Sequence, residues 1–394
     1  MSDAANRVVI VGAGQAAAQL VLSLRQGGFP GDIRVIGDEP YPPYQRPPLS
    51  KTFLKERPAP DSLYFRPAAF WAEQGAALEL GVAAKSIDRT GRQLMLADGR
   101  ELPYDALVLA IGTRARDLPL PGVNLPGVFS LRKIDDIVQL RPALDQAERV
   151  VIAGGGYIGL EVAATVRYEE RAATVLEAEE RVMKRVTSPV ISEFVEKFHR
   201  GRGVDIRLGA RLGAIEGEGR VRVAKLTSGE TLPADLVLVA VGARANDDIA
   251  AAAGLACEDG VVVDEHGRTA DPAIYAAGDC TRFPSRRYGR RLRLECGQNA
   301  LDQAKAVAAA ILGKPTVYDP VPWFWSDQFE LKLQMCGLSD GYDAAETIGD
   351  VGAAKFSVQY RKGGRLIAVD AVNDGRAYMA GRRQIAQETE VAAA

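Results

Sequence analysis

The chain has 394 residues, which is too long for a single hydrophobic core and suggests two or three domains. With 49 Lys and Arg residues against 51 Asp and Glu residues, its net charge of −2 excludes a general attraction to nucleic acid or to an anionic membrane. The first residues, MSDAANRVVI, contain no basic segment followed by a long apolar run, so the sequence predicts a cytoplasmic protein that does not bind a membrane.

The cysteines and histidines exclude several kinds of redox and metal site. No two cysteines form a C-x-x-C pair and none precedes residue 257, so the sequence predicts neither a disulfide-reducing centre nor a bound metal. Two histidines, His199 and His266, are too few for a histidine cluster and argue against a Ser-His-Asp triad. The four cysteines are Cys257, Cys280, Cys296 and Cys336.

The first predicted element is a strand, turn and helix, RVVIVGAGQAAAQL from Arg7, and RVVIAGGGYIGLEVAA from Arg149 repeats it 142 positions later. In each copy the first glycine permits the turn and the second lets a pyrophosphate approach the backbone. The third small residue lets the helix pack against the strand. These residues are Gly12, Gly14 and Ala17 in the first copy, and Gly154, Gly156 and Gly159 in the second.

Each copy continues into a second predicted strand that ends in acidic residues. A carboxylate at this place accepts hydrogen bonds from ribose hydroxyls and repels a 2′-phosphate. Glu177 occupies this place in the second copy, so the sequence predicts that NADH rather than NADPH binds there. The basic residues Arg181, Lys184 and Arg185 follow closely, so tolerance of a 2′-phosphate stays open. In the first copy Asp38 and Glu39 are both candidates.

The segment RPPLSK, Arg46 to Lys51, predicts a helix start with Ser50 as N-cap and Lys51 in the first turn. A cation there opposes the helix dipole at a cost of about 0.3 to 1 kcal/mol. We expect an anionic or electron-rich group to compensate, and a reduced flavin, with negative charge around its N1 and C2 carbonyl, would fit. A lysine side chain that reaches solvent is the alternative.

A second repeat closes each module. LADGRELPYDALVLAIGTRA from Leu96 returns 130 positions later as LTSGETLPADLVLVAVGARA from Leu226. Each copy contains a wholly apolar strand, as expected for a strand buried on both faces, followed by a glycine with a small neighbour, Gly112 or Gly242. The chain therefore contains two related dinucleotide-binding modules.

The segment AIYAAGDC ends a further apolar strand at Gly278 and Asp279, where a carboxylate can accept hydrogen bonds from ribityl or ribose hydroxyls. It has no counterpart between the two modules, so we expect the chain to return here to the first one. This predicts an FAD-binding domain at 1–112 and 246–317, an NADH-binding domain at 113–245 and, from the alternating aromatic strands that follow, an α+β interface domain at 318–394.

Six segments together resemble the putidaredoxin reductase-like family of FAD-dependent NADH:ferredoxin reductases, which serve bacterial cytochrome P450 and Rieske oxygenase systems. They are RVVIVGAGQAA, RPPLSK, GGGYIGLEVAA, YAAGDC, QNALDQA and PWFWSDQ. The resemblance implies an α/β, glutathione-reductase-like fold with two Rossmann-type domains and a C-terminal α+β domain. This sequence departs from the family at LECGQNA, where the family reads closer to ESVQNA, so Cys296 and Gly297 would alter the flavin surroundings.

The resemblance also implies individual site residues. Contacts to FAD are implied for Ala16, Asp38, Arg46, Lys51, Val82, Arg132, Asp279 and Gly297, with Trp325 near the flavin edge. Contacts to NAD are implied for Ile158, Glu161, Glu177 and Arg185. Lys51 and Glu161 are the predicted catalytic residues: Glu161, in the first turn after the second glycine motif, would orient the nicotinamide carboxamide and pair with Lys51 while a hydride passes from NADH to flavin N5.

The electrons must then leave one at a time for an external carrier, because the scattered cysteines cannot hold an iron–sulfur cluster. The resemblance implies an acidic [2Fe-2S] ferredoxin. The stretch from Thr281 to Glu295 holds six arginines and, with Trp325, predicts the docking surface between Arg286 and Arg293. A solvated basic hairpin and a tryptophan in the core are the alternatives. We expect a monomer or weak dimer.

Several other functions compete. Disulfide reductases, peroxidases and oxidases of this fold need a cysteine early in the FAD domain, which is absent here. A flavoprotein monooxygenase would need a substrate pocket that the sequence does not reveal. An NADH-sensing flavoprotein like the apoptosis-inducing factor, or an NADH oxidoreductase with another acceptor such as rubredoxin, remains open, as do the reduction potential and the terminal oxygenase.

Overall fold

The computed structural model describes residues 6–393, with side chains to residue 388. The outer limits of the predicted first and third domains, residues 1 and 394, lie outside the described residues. In chain order the helices are α1 (Gln15–Gln26), α2 (Thr52–Glu56), α3 (Ala68–Glu73), α4 (Ile134–Gln146), α5 (Tyr157–Tyr168), α6 (Pro189–Arg200), α7 (Asp248–Ala252), α8 (Gly297–Ile311) and α9 (Gly375–Ala393), with 3₁₀ turns at Pro47–Ser50 and Pro60–Leu63.

Short strands separate these helices. They are β1 (Arg7–Val11), β2 (Asp32–Gly37), β3 (Ala76–Leu80), β4 (Ala84–Asp88), β5 (Gln93–Leu96), β6 (Glu101–Pro103), β7 (Ala106–Leu109), β8 (Thr113–Ala115), β9 (Val128–Ser130), β10 (Arg149–Ala153), β11 (Ala172–Leu176), β12 (Val204–Arg207), β13 (Leu212–Glu216), β14 (Val223–Leu226), β15 (Thr231–Pro233), β16 (Leu236–Val239), β17 (Ala243–Ala245), β18 (Val261–Val262), β19 (Ile274–Ala276), β20 (Thr281–Ser285), β21 (Arg290–Leu292), β22 (Trp323–Gln328), β23 (Leu331–Gly337), β24 (Ala344–Asp350), β25 (Lys355–Lys362) and β26 (Arg365–Val372).

The chain divides into two compact units. The first consists of the chain up to Gln45 together with Ala59–Arg114 and Arg244–Pro322, and the second of Arg46–Pro58, Ala115–Ala243 and the chain from Trp323 onward. Both glycine modules fold as the repeats predict, one in each unit. The predicted limits of three domains stay a prediction.

The first unit is built on a parallel sheet of order β19-β7-β1-β2-β3. Ile10 at its centre is opposite Val35 on one side and Val108 on the other, which explains the wholly apolar strands. Helices α1 and α8 contribute Leu20 and Val307 to the core of this unit. The segment AIYAAGDC supplies β19 beside β7, so the chain returns to the first module as predicted.

The second unit contains a parallel sheet of order β12-β11-β10-β16-β9, in which β10 lies between β11 and β16 as β1 lies between β2 and β7. Its C-terminal part is an antiparallel sheet of order β22-β23-β26-β25-β24 against which α9 packs. Strands β25 and β26, with the sequences KFSVQYRK and RLIAVDAV, are two of the strands predicted for this part of the chain, and each buries most of its apolar residues.

Candidate functional site

The first glycine turn connects β1 to α1. Gly12 has φ +102°, and a Cβ on it would overlap the carbonyl oxygen of Ala110, so only glycine allows the strand to turn this close to the end of β7. Gly14 is the N-cap of α1, and a Cβ there would meet no protein atom within 4 Å. The first backbone N–H groups of a helix have no intrahelical acceptor, so a helix N-terminus beside open space suits a pyrophosphate.

The two acidic candidates of the first module have different surroundings. Glu39 is buried, and its Oε2 accepts a hydrogen bond of 2.6 Å from the Tyr44 hydroxyl, whereas Asp38 is exposed. The backbone N–H of Val82 donates to the Gly37 carbonyl at 3.0 Å, so the predicted Val82 lies beside the end of β2.

The turn after β19 is held by a glutamine that the sequence reasoning missed. Gly278 has φ +87°, and its N–H donates to Gln303 Oε1 at 2.9 Å, as does the Thr281 hydroxyl at 2.8 Å. Gln303 is fully buried and its Nε2 has no partner in the part of the chain that the structure describes. The motif QNALDQA, which contains Gln303, was the signal that could have found it.

The first unit also brings the N-termini of α1 and α8 together. Gln15 Nε2, in the first turn of α1, donates to the Gly297 carbonyl at the start of α8 at 3.2 Å. A Cβ on Gly278 would lie 3.4 Å from that of Ala16. Five predicted residues therefore lie in one region of the first unit, namely Gly12, Gly14, Ala16, Gly278 and Gly297. Gly112 follows β7 and accepts a hydrogen bond from the Asn246 N–H.

The second glycine turn has the same backbone arrangement. Gly154 has φ +114° and a Cβ on it would overlap the Ala240 carbonyl oxygen, while Gly156 is the N-cap of α5 with open space in front of it. A Cβ on Gly159 would overlap the Gly154 carbonyl oxygen, so the third position of this motif requires glycine. Ile158, beside the turn, is 40% exposed although it is apolar.

Glu177 follows β11 and is tied to the turn. Its carboxylate accepts hydrogen bonds from the backbone N–H groups of Gly155 at 2.9 Å and Glu179 at 2.8 Å. A Cβ on Gly242 would lie 3.3 Å from the Arg185 guanidinium, so these two predicted residues are neighbours. Gly156, Ile158, Glu177, Arg185 and Gly242 all belong to the second unit.

The predicted pair of Lys51 and Glu161 forms within the second unit, with Lys51 Nζ 2.8 Å from Glu161 Oε2. The Glu161 side chain is 2% exposed. Hydroxyls of Ser50 and Ser326 donate to its two oxygens, Oε2 and Oε1, each at 2.5 Å. A buried carboxylate with three donors is fully compensated.

Two details of the prediction for this region are wrong. Ser50 is not an N-cap: it ends the 3₁₀ turn and donates its hydroxyl to Glu161, while Lys51 occupies the cap position of α2 with non-helical backbone angles. The anionic partner of Lys51 in the structure is therefore the Glu161 carboxylate. Glu161 is the fifth residue of α5 and so lies in its second turn.

Two predicted arginines are joined nearby. The Arg46 guanidinium donates to the Arg132 carbonyl at 2.8 Å, and the Arg132 N–H donates to Asp136 Oδ2 at 2.6 Å. The tryptophan segment is strand β22, in which the rings of Trp323 and Trp325 lie 5.7 Å apart and are both partly buried.

The arginine-rich stretch forms the antiparallel hairpin of β20 and β21. Three of its six arginines pair with acids: Arg286 with Glu265 at 3.1 Å, Arg291 with Glu258 at 3.3 Å, and Arg293 with Asp259 at 3.1 Å and with Glu295 at 2.5 Å. These acids neutralise part of the positive charge on which the docking prediction rested.

The cysteines stay protonated. Burial raises the pKa of the Cys296 and Cys280 thiols to about 12, and that of Cys257 to about 11. Thiols with raised pKa values are poor nucleophiles and poor redox centres. Among the described residues no group of His, Cys, Asp and Glu could hold a metal ion, and no helix there has the length and apolarity to cross a membrane.

Comparison with known protein families decides the assignment. Residues 6–304 match the family described as Pyridine nucleotide-disulphide oxidoreductase, and residues 323–394 match the Reductase C-terminal family. The chain belongs to the pyridine nucleotide-disulphide oxidoreductases. This membership confirms the α/β fold class and the resemblance on which the predicted cofactors were based.

The most similar proteins include members of this family from several bacteria. The chain is 43% identical over 377 residues to the putidaredoxin reductase CamA of Pseudomonas putida, which covers 94% of this chain and 89% of the relative. It is 40% identical to a rubredoxin-NAD(+) reductase of Pseudomonas putida, covering 93% of this chain and 95% of the relative. The crystal structure of the ferredoxin reductase for the CYP199A2 system of Rhodopseudomonas palustris superposes with a TM-score of 0.94 at 45% identity, covering 96% and 93% of the two chains.

The enzymes of this oxidoreductase family use FAD and NAD(P)H. Both turns fit a dinucleotide, because each has a positive-φ glycine and an open second glycine that caps the N-terminus of a helix. Gln303 Nε2, beside Gly278, is a buried polar atom without a partner among the described residues, and a bound group could satisfy it.

Proposed function

We propose that the chain is an FAD-dependent NADH:ferredoxin reductase. The observation that carries the proposal is the presence of two open dinucleotide turns in a chain whose first cysteine is Cys257, since two nucleotides can react but no early thiol can accept the electrons. The electrons then pass to a separate protein. The cytoplasmic location remains a prediction from the sequence.

FAD is held in the first unit by the turn residues Gly12 and Gly14 and by the end of β19. Glu39 is the better candidate for the ribose of FAD than Asp38, because it is buried and Tyr44 orients it. The remaining proposed FAD contacts are Ala16, Ala17, Asp38, Val82, Gly112, Gly278, Asp279 and Gly297, and from the second unit Arg46, Lys51, Arg132 and Trp325.

NADH is held in the second unit by Gly154, Gly156 and Gly159 at the turn, with Ile158, Glu161, Arg185 and Gly242 as further contacts. Glu177 is the proposed ligand of the adenosine ribose. Two of the three nearby cations, Arg181, Lys184 and Arg185, are occupied: Arg181 donates to the Thr187 carbonyl and the Ser192 hydroxyl, and Lys184 pairs with Glu179 and Glu180. A 2′-phosphate would therefore meet Glu177 without a free Arg181 or Lys184, which favours NADH over NADPH.

When bound, FAD supplies the chemistry of accepting a hydride and releasing single electrons. The chain's own residues position the reactants. Glu161 is held by donors at both oxygens, so it presents a fixed carboxylate edge to the nicotinamide carboxamide, and Lys51 balances its charge in a buried setting. Because Lys51 cannot leave this pair without leaving a buried charge, we expect the two side chains to act as one element.

The acceptor is an acidic [2Fe-2S] ferredoxin. It docks near Trp325 and near the exposed arginines between Arg286 and Arg293. The Arg286 side chain, for example, is 72% exposed. The ion pairs along this hairpin leave a modest net charge, so we expect moderate rather than strong dependence of the association rate on salt.

A second acceptor is rubredoxin. The specific observation in its favour is that the rubredoxin-NAD(+) reductase relative is nearly as similar to this chain, at 40% identity, as the ferredoxin-dependent relatives. A rubredoxin is also a small one-electron carrier, so the nucleotide sites do not discriminate between the two.

Anaerobic stopped-flow mixing of the yellow protein with NADH or NADPH tests the first half of the reaction. We expect NADH to bleach the flavin much faster than NADPH. Mixing the reduced protein with cytochrome c plus a [2Fe-2S] ferredoxin or plus a rubredoxin then identifies the acceptor. Cytochrome reduction with rubredoxin alone would replace the ferredoxin proposal, and failure with both would favour the sensor alternative.

The variant Trp325→Ala tests docking. We expect it to slow ferredoxin reduction while ferricyanide reduction by NADH, which needs no protein docking, stays unchanged. An equal loss with both acceptors would show that Trp325 acts at the flavin or in folding and not in docking.

A further inference from the structure

Both carboxylate oxygens of Glu161 accept hydrogen bonds, and the donors to the two oxygens differ. On one side Ser50 and Lys51, which are adjacent in sequence, reach Oε2. On the other side Oε1 accepts, among the described residues, from Ser326 alone, a fully buried residue of β22, 165 positions away. Ser326 also belongs to a chain of hydrogen-bonded, fully buried side chains.

That chain continues through two more fully buried side chains. Gln328 Nε2 donates to Ser326 Oγ at 3.1 Å, and Gln328 Oε1 lies 2.9 Å from His199 Nε2, on α6. Gln328 lies two residues after Ser326, so both side chains lie on the same face of β22. The chain therefore connects helix α6 to Glu161 of helix α5.

The chemistry of these groups fixes the direction of the chain. An amide oxygen can only accept, so His199 must carry its hydrogen on Nε2. Burial lowers the pKa of His199 to about 4, so the ring is neutral at pH 7 and Nδ1 is bare. Consistently, Nδ1 has no partner among the described residues. The amide then donates to Ser326, whose single hydroxyl hydrogen is left to point at Glu161.

We propose that Ser326, Gln328 and His199 are positioning residues that hold the Glu161 carboxylate in its paired orientation for hydride transfer. The proposal rests on the proposed function, in which Glu161 orients the nicotinamide. None of the three needs to contact a cofactor. They act by removing the rotational freedom of Glu161, since a serine hydroxyl that is already fixed by an amide donor offers one hydrogen in one direction.

The direction of the chain can be tested without turnover. The whole sequence contains only two histidines, so ¹⁵N-histidine labelling of the oxidised FAD-loaded protein gives two rings to assign, and His266→Gln removes one of them. We expect His199 to show the Nε2–H tautomer with no titration between about pH 6 and 8. The Nδ1–H tautomer at His199 would overturn the proposal.

A matched pair of serine variants tests the coupling. Ser357 on β25 is 1% exposed and its hydroxyl has no partner among the described residues, so Ser357→Ala makes the same chemical change in the same sheet away from Glu161. We expect Ser326→Ala to move the His199 Nε2 resonance and Ser357→Ala to leave it in place. An unmoved resonance in Ser326→Ala would overturn the proposal.

Kinetics test the function of the chain. We expect Ser326→Ala to slow flavin reduction by NADH about tenfold or more, with the dissociation constant of NADH changed less than about twofold. Ser326→Thr, which keeps the hydroxyl, should restore most of the rate, and Ser357→Ala should match the wild type. Gln328→Met serves as a second variant that frees the Ser326 hydroxyl without removing it, and it should also slow reduction.

The outcomes separate this proposal from the proposed function. If NADH does not reduce the wild type, both are wrong. If NADH reduces the wild type, Glu161→Gln slows the reaction, and Ser326→Ala and Gln328→Met do not, then the proposed function stands and the positioning chain is wrong.

Discussion

The two glycine modules have the same backbone plan but use their acidic residues differently. In each, a positive-φ glycine lies against the carbonyl oxygen at the end of the closing strand, Ala110 in the first and Ala240 in the second. The acid after the second strand is held by a tyrosine hydroxyl in the first module (Glu39) and by two backbone N–H groups in the second (Glu177). We propose that the shared part binds a pyrophosphate and that the different part selects which nucleotide is bound.

The largest expected effects come from the shared glycines. Gly12→Ala should abolish retention of FAD, whereas Gly154→Ala should leave FAD bound and abolish reduction by NADH, because in each a Cβ would overlap a backbone carbonyl. FAD content and stopped-flow reduction measure the two effects. Gly99→Ala and Gly229→Ala are controls with positive φ but open space, and they should change neither property. Loss of FAD in Gly154→Ala would contradict the proposal that the first module binds FAD and the second binds NADH.

The next effect concerns pH, because two strongly shifted groups, Asp370 and His199, belong to the second unit. Burial raises the pKa of Asp370 from 3.8 to about 6 and lowers that of His199 from 6.5 to about 4. Between about pH 4 and 6 the Asp370 carboxyl is protonated in the folded state and ionised in the unfolded state. The contribution of Asp370 to the free energy of unfolding therefore falls as the pH rises from 4 to 6. At His199 the unfolded state binds more protons, so stability is lost as pH falls from 6.5 to 4.

Each contribution is about 3 kcal/mol, so the two nearly cancel in the wild type between about pH 4 and 6. We expect the free energy of unfolding of Asp370→Asn to rise with pH across this range and that of His199→Gln to fall, measured by urea unfolding. His266→Gln, at a half-buried ring, is the control. Parallel pH profiles for both variants and the wild type would refute this assignment.

A smaller effect is expected at the acid of the second module. Glu177→Ala should raise the KM for NADH about tenfold and leave that for NADPH nearly unchanged, because the carboxylate that accepts from ribose and repels phosphate is lost. Steady-state kinetics with ferricyanide measure both values. Glu179→Gln, next to it but paired with Lys184, should have little effect. An equal rise for both nucleotides would mean that Glu177 only supports the turn through Gly155 and Glu179.

The smallest effect separates the third motif positions. Ala17→Gly makes the first motif match the second, and it should cost about 1 kcal/mol of stability, because a helical glycine is entropically unfavourable and the fully buried Ala17 methyl loses its packing. Urea unfolding measures this cost. A gain in stability for Ala17→Gly would contradict this interpretation.

Most of the fold could be predicted because its signals are local. The apolar run and small residues at Arg7–Val11 and Arg149–Ala153 specify a strand and turn within one stretch of chain, and both strands form in parallel sheets. The pairing of Lys51 with Glu161 was available only through family resemblance. Ser50 was assigned wrongly because its short-range signal, a serine before a helix, was overridden by a buried carboxylate 111 positions away.

The sequence by itself determined the two nucleotide modules, their glycines and the absence of an early cysteine, since composition and local periodicity are properties of a single stretch. The tertiary structure alone decided how Glu161 is held, because Ser50, Ser326, Gln328 and His199 are scattered over 278 positions, from residue 50 to residue 328. No local pattern marks such residues. They matter because burying a carboxylate requires donors, and the fold supplies them from whichever elements lie nearby.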